Sequence, residues 1–198
     1  MVIYRKTTDA DIKQIAQIHK EQFSTHYLGQ FSLSLLEKFY KNLLDGGIIF
    51  LVSEEDGKIL GFVLGGEWKK ISEQLSLFMK RNIIRSLFES LVRPKTWSKS
   101  IQKFMSIFIK TESDSNNLDN KEKYTLLSIS ISKGAQGKGI GSGLVDSFNR
   151  EMAKNSDRYY LSVQDTNEIA IRFYKKKGFV EAYAFPGEIQ MIKELNNA

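Results

Sequence analysis

Five glycines fall within ten positions, 134–143, in the run SISKGAQGKGIGSGLVDSF (130–148), and an apolar helical pattern follows them at once. A strand that ends in small residues and opens directly into a helix leaves backbone N–H groups unpaired at the helix start, at the positive end of the helix dipole. Such a site binds phosphate. Glycines suit it because a side chain would hold a diphosphate off the backbone and because tight turns need positive φ. A flexible strand-to-helix turn with no ligand is the plain alternative. Two known phosphate loops fail on spacing. A G-x-x-x-x-G-K-[ST] loop would need glycine where Ser132 stands and serine or threonine where Gly139 stands, and a G-x-G-x-x-G loop would need glycine at Ser142 or at Leu144.

A second set of chemistry-bearing residues lies in TNEIAIRFYKKK (166–177). At 100° per residue Asn167, Ala170, Ile171 and Tyr174 share one helix face, which offers an amide, a small gap and a phenol in line. Asn167 also reads as an ordinary helix N-cap, and Tyr174 as a core aromatic. With no cysteine in the chain, disulfides, thiolate zinc sites and a cysteine nucleophile are excluded. His19 and His26 have no carboxylate at ligand spacing, so they read as packing or solvent residues and no metal is expected.

The elements that must position these residues alternate. VIYRK reads as a strand, TTDADIKQIAQIHKEQF as a capped amphipathic helix, and SLSLLEKFYKNLL as a second helix stopped by DGG. IIFLVSEEDGKILGFVLGG reads as two strands around Asp56-Gly57. From Glu67 to about Lys110 the period is helical, broken at Arg93-Pro94, and the polar run TESDSNNLDNKEK reads as a loop. YTLLSISIS, RYYLSVQ and a closing pair around Pro186-Gly187 supply further strands. The pattern is a mixed α/β chain with a helical insertion of some 50 residues.

The net charge of +6 is local. Residues 68–110 hold ten lysines and arginines against two glutamates, a net of +8, while the rest holds 19 basic and 21 acidic residues, a net of −2. A solvated helix face is the ordinary reading of such a run; an acidic or phosphate-bearing substrate, an anionic surface or a nucleic acid are the others. No basic-then-apolar leader opens the sequence and no window approaches ~18 apolar residues, so a soluble cytoplasmic protein without a membrane span is expected.

Gln136-Gly137-Lys138-Gly139-Ile140-Gly141 fits the pattern Q/R-x-x-G-x-G/A. About 25 residues later Asn167, Ala170, Tyr174, Gly178 and Phe179 fall in register with N-x-x-A-x-x-x-Y-x-x-x-G-F. On these two blocks the chain resembles the GNAT superfamily of acyl-CoA-dependent acetyltransferases, closely over 125–180 and loosely over 1–66. The resemblance implies an α/β fold with a mixed, mostly antiparallel central sheet flanked by helices, the insertion (about 67–124) lying between strands 3 and 4, and 1–198 as a single domain. Strands 4 and 5 would splay to admit acetyl-CoA.

Carried over, the resemblance implies that Ile129, Ser130 and Ile131 pair with the thioester and pantetheine arm. The amides of Gly137, Lys138, Gly139, Ile140, Gly141 and Ser142, in the motif opened by Gln136, would cradle the pyrophosphate, and Asn167 and Tyr174 would complete the cofactor site. Tyr174 would act as general acid, since a phenol of pKa ~10 stays protonated at neutral pH and can donate to a thiolate whose conjugate acid has pKa ~8.5. The base is less determined. Several family members carry a glutamate where Ser162 stands here; Glu67, at the end of the third strand, is the candidate carboxylate, and a water ordered by Ser128 and Ser130 is the alternative. Without a thiol, direct transfer in a ternary complex is expected, with a backbone N–H near Ile131 polarising the thioester carbonyl. The expected acceptor is a small amine, acidic or sugar-linked if the insertion's charge and aromatics reach it, with no nucleic-acid partner and a homodimer left open. A non-catalytic acyl-CoA sensor is the competing reading, motivated by Ser162.

Overall fold

Asp56 and Gly57 both take positive φ (50° and 77°), the geometry of a two-residue hairpin turn. They join β2 (Ile49–Glu55) to β3 (Lys58–Glu67), two antiparallel strands at the heart of the sheet. The computed structural model of the chain describes residues 1–24, 28–91 and 124–195, of which 83–91 by backbone course only. Around the hairpin the other strands are β1 (Ile3–Lys6), β4 (Tyr124–Ile131), β5 (Arg158–Gln164), β6 (Val180–Phe185) and β7 (Glu188–Glu194). Their order is β1-β2-β3-β4-β5-β7-β6, antiparallel throughout except for the parallel pair β4 and β5.

Two apolar clusters divide the helices between the faces. On one face α1 (Ile12–Gln22), α2 (Leu33–Asp45) and the start of α3 (Trp68–Leu91) bury Ile15, Leu35, Phe39, Tyr40 and Phe78 against Phe50, Phe62 and Leu64. On the other, α4 (Ile140–Met152) and α5 (Glu168–Lys176) bury Leu144, Phe148 and Tyr174 against Val63, Leu126, Tyr159 and Leu161. The amphipathic periods read from sequence are these two faces. Ser32 caps α2, its hydroxyl accepting from Leu35 N (3.3 Å). Arg5 of β1 donates to Asp11 (2.7 and 2.8 Å) and to Glu54 of β2 (2.6 Å), which pins the start of α1 to the sheet edge.

The helical insertion expected between strands 3 and 4 begins as α3. Phe78 is fully buried against Phe31 and Phe39, and Trp68 packs on the same cluster, so these two aromatics serve the core. The expected second helix to Lys110 and the polar loop after it, with Trp97, Phe104 and Phe108, lie outside the described residues, as does the side chain of Phe88.

The β3–β4 ladder slips by one residue between Leu64 and Gly65, where Leu127 has no partner. This bulge changes the parity of β4. Leu126, Ile129 and Ile131 all pack with the α4 cluster, whereas Leu127 packs with the α1–α2 cluster. Gly65 makes the slip possible, because a Cβ there would run into the Thr125 carbonyl and lie 2.8 Å from the Phe148 ring. Gly65→Ala is therefore expected to cost about 1–3 kcal/mol, the range of overpacked cores. Urea unfolding measures it, and a change under 0.5 kcal/mol would mean that the strands relax freely at the bulge.

Candidate active site

Beyond Thr125, strand β4 is paired on the β3 side only. Ser132 N donates to Leu60 O (2.8 Å), continuing the register in which Ser130 faces Phe62 and Ser128 faces Leu64. In an antiparallel ladder hydrogen-bonded and non-bonded pairs alternate, so Ile129 and Ile131 turn their N–H and C=O groups to the opposite edge. There β5 meets β4 at a single register position, Thr125 with Tyr160. Beyond it the strands part, and the backbone edge of Ile129 to Ile131 faces a gap. The splay expected from the resemblance is present.

The gap ends on the glycine turn. The chain does not pass straight from strand to helix as the sequence suggested: a short 3-10 turn, Lys133–Ala135, intervenes, because Ala135 N bonds back to Ser132 O (2.9 Å) and buries the alanine methyl. The turn then opens. Gly137 and Gly139 sit at φ 77° and 78°, Gly139 as the N-cap of α4, and a Cβ at either would meet nothing within 4 Å. Among the described residues no backbone carbonyl or side chain accepts from the amides of Gly137 to Ser142. The first amide to be satisfied is Gly143, which donates to Gly139 O (3.1 Å). Six consecutive N–H groups without a described acceptor at a helix N-terminus, open at Gly137 and Gly139, suit a diphosphate. Lys138 is exposed and forms no ion pair with a described residue.

Helix α5 closes the far side. Gly141 stands where a Cβ would touch the Phe173 ring (3.6 Å) and Ile131 (3.8 Å), so the end of β4, the first turn of α4 and the middle of α5 meet there. Lys177 ties α5 to α4 through Asp146 (2.5 Å) and Ser142 Oγ (3.0 Å). Tyr174 is buried edge-on to Phe173 and Phe179, and burial pushes its phenol up to about 12. Its hydroxyl bonds to no described residue. Asn167 is the N-cap of α5, its Oδ1 accepting from Ala170 N (3.1 Å), and its exposed amide group remains free to donate.

Glu67 stands apart from this group. It ends β3 opposite Tyr124, one quarter exposed, with Lys70 at 3.9 Å, and no hydrogen bond or ion pair joins it to Tyr174. Ser128 and Ser130 share the face that carries α1 and α2. Ser162, in place of a carboxylate, is exposed on β5. His19 is buried with its Nδ1 on the Tyr40 hydroxyl (2.5 Å), a packing role; His26 lies outside the described residues. Among the described residues no three His, Cys, Asp or Glu side chains could share a metal ion, and no helix is long and apolar enough to cross a membrane.

Sequence reasoning missed Gln22 and the bulge at Leu127. Gln22 is the last residue of α1, and Gln136 Nε2 donates to its Oε1 (3.0 Å) and to the Ile131 carbonyl (3.3 Å). No local pattern marks a pairing 114 positions apart.

A model described as the acetyltransferase (GNAT) family matches residues 12–179. No curated protein is similar enough in sequence to count as a match. Among solved structures, the PaiA N-acetyltransferase from Thermoplasma acidophilum in complex with coenzyme A is 16% identical at TM-score 0.59, covering 98% of this chain and 99% of that one. An N-acetyltransferase from Staphylococcus aureus Mu50 is 18% identical at TM-score 0.61, with 99% of each chain covered. A ribosomal-protein-alanine N-acetyltransferase from Brucella melitensis is 17% identical at TM-score 0.61, covering 98% of this chain and 99% of that one. At these identities the structural likeness speaks for the fold. The match across 12–179 carries the assignment further, and by it this chain is an acyltransferase belonging to the GNAT acetyltransferase family.

Proposed function

We propose that the protein transfers an acetyl group from acetyl-CoA to the amine of a small molecule, directly, within a ternary complex. The observation that carries this reading is the free edge of β4 leading onto the unpaired amides of Gly137 to Ser142. The edge offers strand-like pairing at Ile129 and Ile131, on either side of Ser130, whose own N–H and C=O turn to β3, and the turn offers six donors with open room at Gly137 and Gly139. Acetyl-CoA, when bound, supplies an activated thioester. The chain's own residues do the rest.

Gln136 opens the turn; Gly137, Lys138, Gly139, Ile140, Gly141 and Ser142 hold the diphosphate; Asn167 donates its free amide toward the arm. The amine nitrogen attacks the thioester carbon and the C–S bond breaks, so a proton must leave nitrogen and one must reach sulfur. Tyr174 supplies the second, because a phenol held well above neutral pH is protonated throughout the working range. Glu67 receives the first through water. It ends β3 opposite Tyr124 and bonds to no described residue of the site, so the proton would travel along a chain of waters rather than directly. A water held by Ser128 and Ser130 is the other route. The positive charge of 68–110 favours an acidic or sugar-linked amine over a polyamine.

Titration calorimetry with acetyl-CoA and CoA, followed by initial rates on a panel of amines, tests the reading. Micromolar binding and intersecting double-reciprocal lines are expected; parallel lines would rule out the ternary complex, and no binding by a folded protein would overturn the acyl-CoA site itself.

A further inference from the structure

The carboxamide of Gln22 has one end that the chain leaves unused. Gln136 Nε2 donates both to the Ile131 carbonyl (3.3 Å) and to Gln22 Oε1 (3.0 Å). A backbone carbonyl only accepts, so the Gln136 atom facing it is the NH2 group. The Gln22 atom facing that NH2 is therefore its oxygen. The other end of Gln22 is an NH2 group, closed off from solvent and hydrogen-bonded to no described residue. Buried donors without a partner are rare in folded proteins. Its position suggests what it awaits, since the Ile131 carbonyl lies on the edge of β4 that faces the gap and Gln136 and Gln22 stand beside it in turn.

We propose that Gln22 donates this hydrogen bond to an amide carbonyl of the cofactor's pantetheine arm, and that the Gln136 side chain is the cover the arm displaces to reach it. The inference rests on the acyl-CoA reading. An extended arm bearing amides, paired along Ile129 and Ile131, competes with Gln136 for the Ile131 carbonyl. Gln136 is exposed and has room to swing aside. Its departure takes the donor from the Gln22 oxygen, and half a turn about the last side-chain bond then brings the Gln22 NH2 round to the arm, where it finds an acceptor. Gln22 thus joins the helix on the α1–α2 face to the cofactor, and it does so only when the arm is present.

Two variants separate this from a structural role. Gln22→Met removes the carboxamide in similar volume, and Gln22→Glu keeps an oxygen toward Gln136 while removing the donor. CoA and adenosine 3′,5′-bisphosphate, which lacks the arm, are titrated into each by calorimetry, alongside thermal unfolding of the free proteins. Both variants are expected to bind CoA about tenfold more weakly, the loss of one hydrogen bond, and to bind the bisphosphate within about twofold of wild type. Gln22→Met is expected to unfold at the wild-type temperature or above it, because it deletes an unsatisfied donor. CoA affinity unchanged in both variants, or bisphosphate affinity falling in parallel with it, would overturn the role of Gln22 while leaving the cofactor site standing. Wild-type protein that binds neither ligand would overturn both.

Discussion

Gly139→Glu is expected to lower acetyl-CoA affinity by more than a hundredfold while leaving the protein folded. Residue 139 is the N-cap of α4 at φ 78°, and a side chain there costs about 1–2 kcal/mol of backbone strain. A carboxylate at a helix N-terminus returns about 0.3–1 kcal/mol of that, because it meets the positive end of the dipole. The net destabilisation is thus small. The consequence for binding is not, since the same carboxylate occupies the amides of Gly137 to Ser142 that would hold the diphosphate and adds like charge beside it. Gly139→Ala separates the causes: its methyl meets nothing within 4 Å, so it keeps the strain without the charge and should weaken binding only a few-fold. Calorimetry with circular dichroism as the folding control decides the matter. Wild-type affinity in folded Gly139→Glu would move the phosphate site elsewhere.

Tyr174→Phe is expected to lower kcat about a hundredfold, or ~2.7 kcal/mol of barrier, with the KM for acetyl-CoA little changed. The phenol is buried and bonds to no described residue, so deleting its oxygen removes no internal hydrogen bond and stability should hold or rise slightly. Burial pushes the phenol up to about 12, which sets the pH dependence. The acid form is full at any pH where the enzyme can be assayed, so with saturating acceptor the wild-type kcat should stay level from neutrality to about pH 10, with no alkaline limb from this group. A Tyr174→Phe enzyme within twofold of wild type would mean that the leaving sulfur is protonated by solvent.

Much of the architecture was legible because it is written locally. Asp56-Gly57 announces its hairpin by backbone preference alone, Gly137 and Gly139 their turn, and the 3.6-residue period of α1, α2, α4 and α5 the faces they bury. The candidate site residues 136–142, 167 and 174 stood out for a different reason: they fall in or beside two short blocks whose spacing resembles the motifs of one family. What stayed hidden is non-local. The bulge at Leu127 depends on how β4 meets Gly65, sixty residues away in the chain, and reverses the alternation that a strand pattern would assign to 126 and 127. The bond from Gln136 to Gln22 joins a loop to a helix end with no shared pattern. The sequence also suggested a direct passage from strand to helix, where the Ser132–Ala135 bond inserts a turn that no propensity at Lys133 foretells.

The single meeting point of β4 with β5 makes the sheet two plates rather than one. On one side the plates are riveted: Phe148 of α4 lies edge-on to Tyr159 of β5, and the same ring stands against Gly65 of β3. On the other side the cluster of α1 and α2 reaches only β2, β3 and β4 among the described residues, and nothing in it grips β5. The seam is therefore bound along one board, like a book cover: side chains of α4 span it on one face, and on the other the described α1–α2 cluster stops at β4.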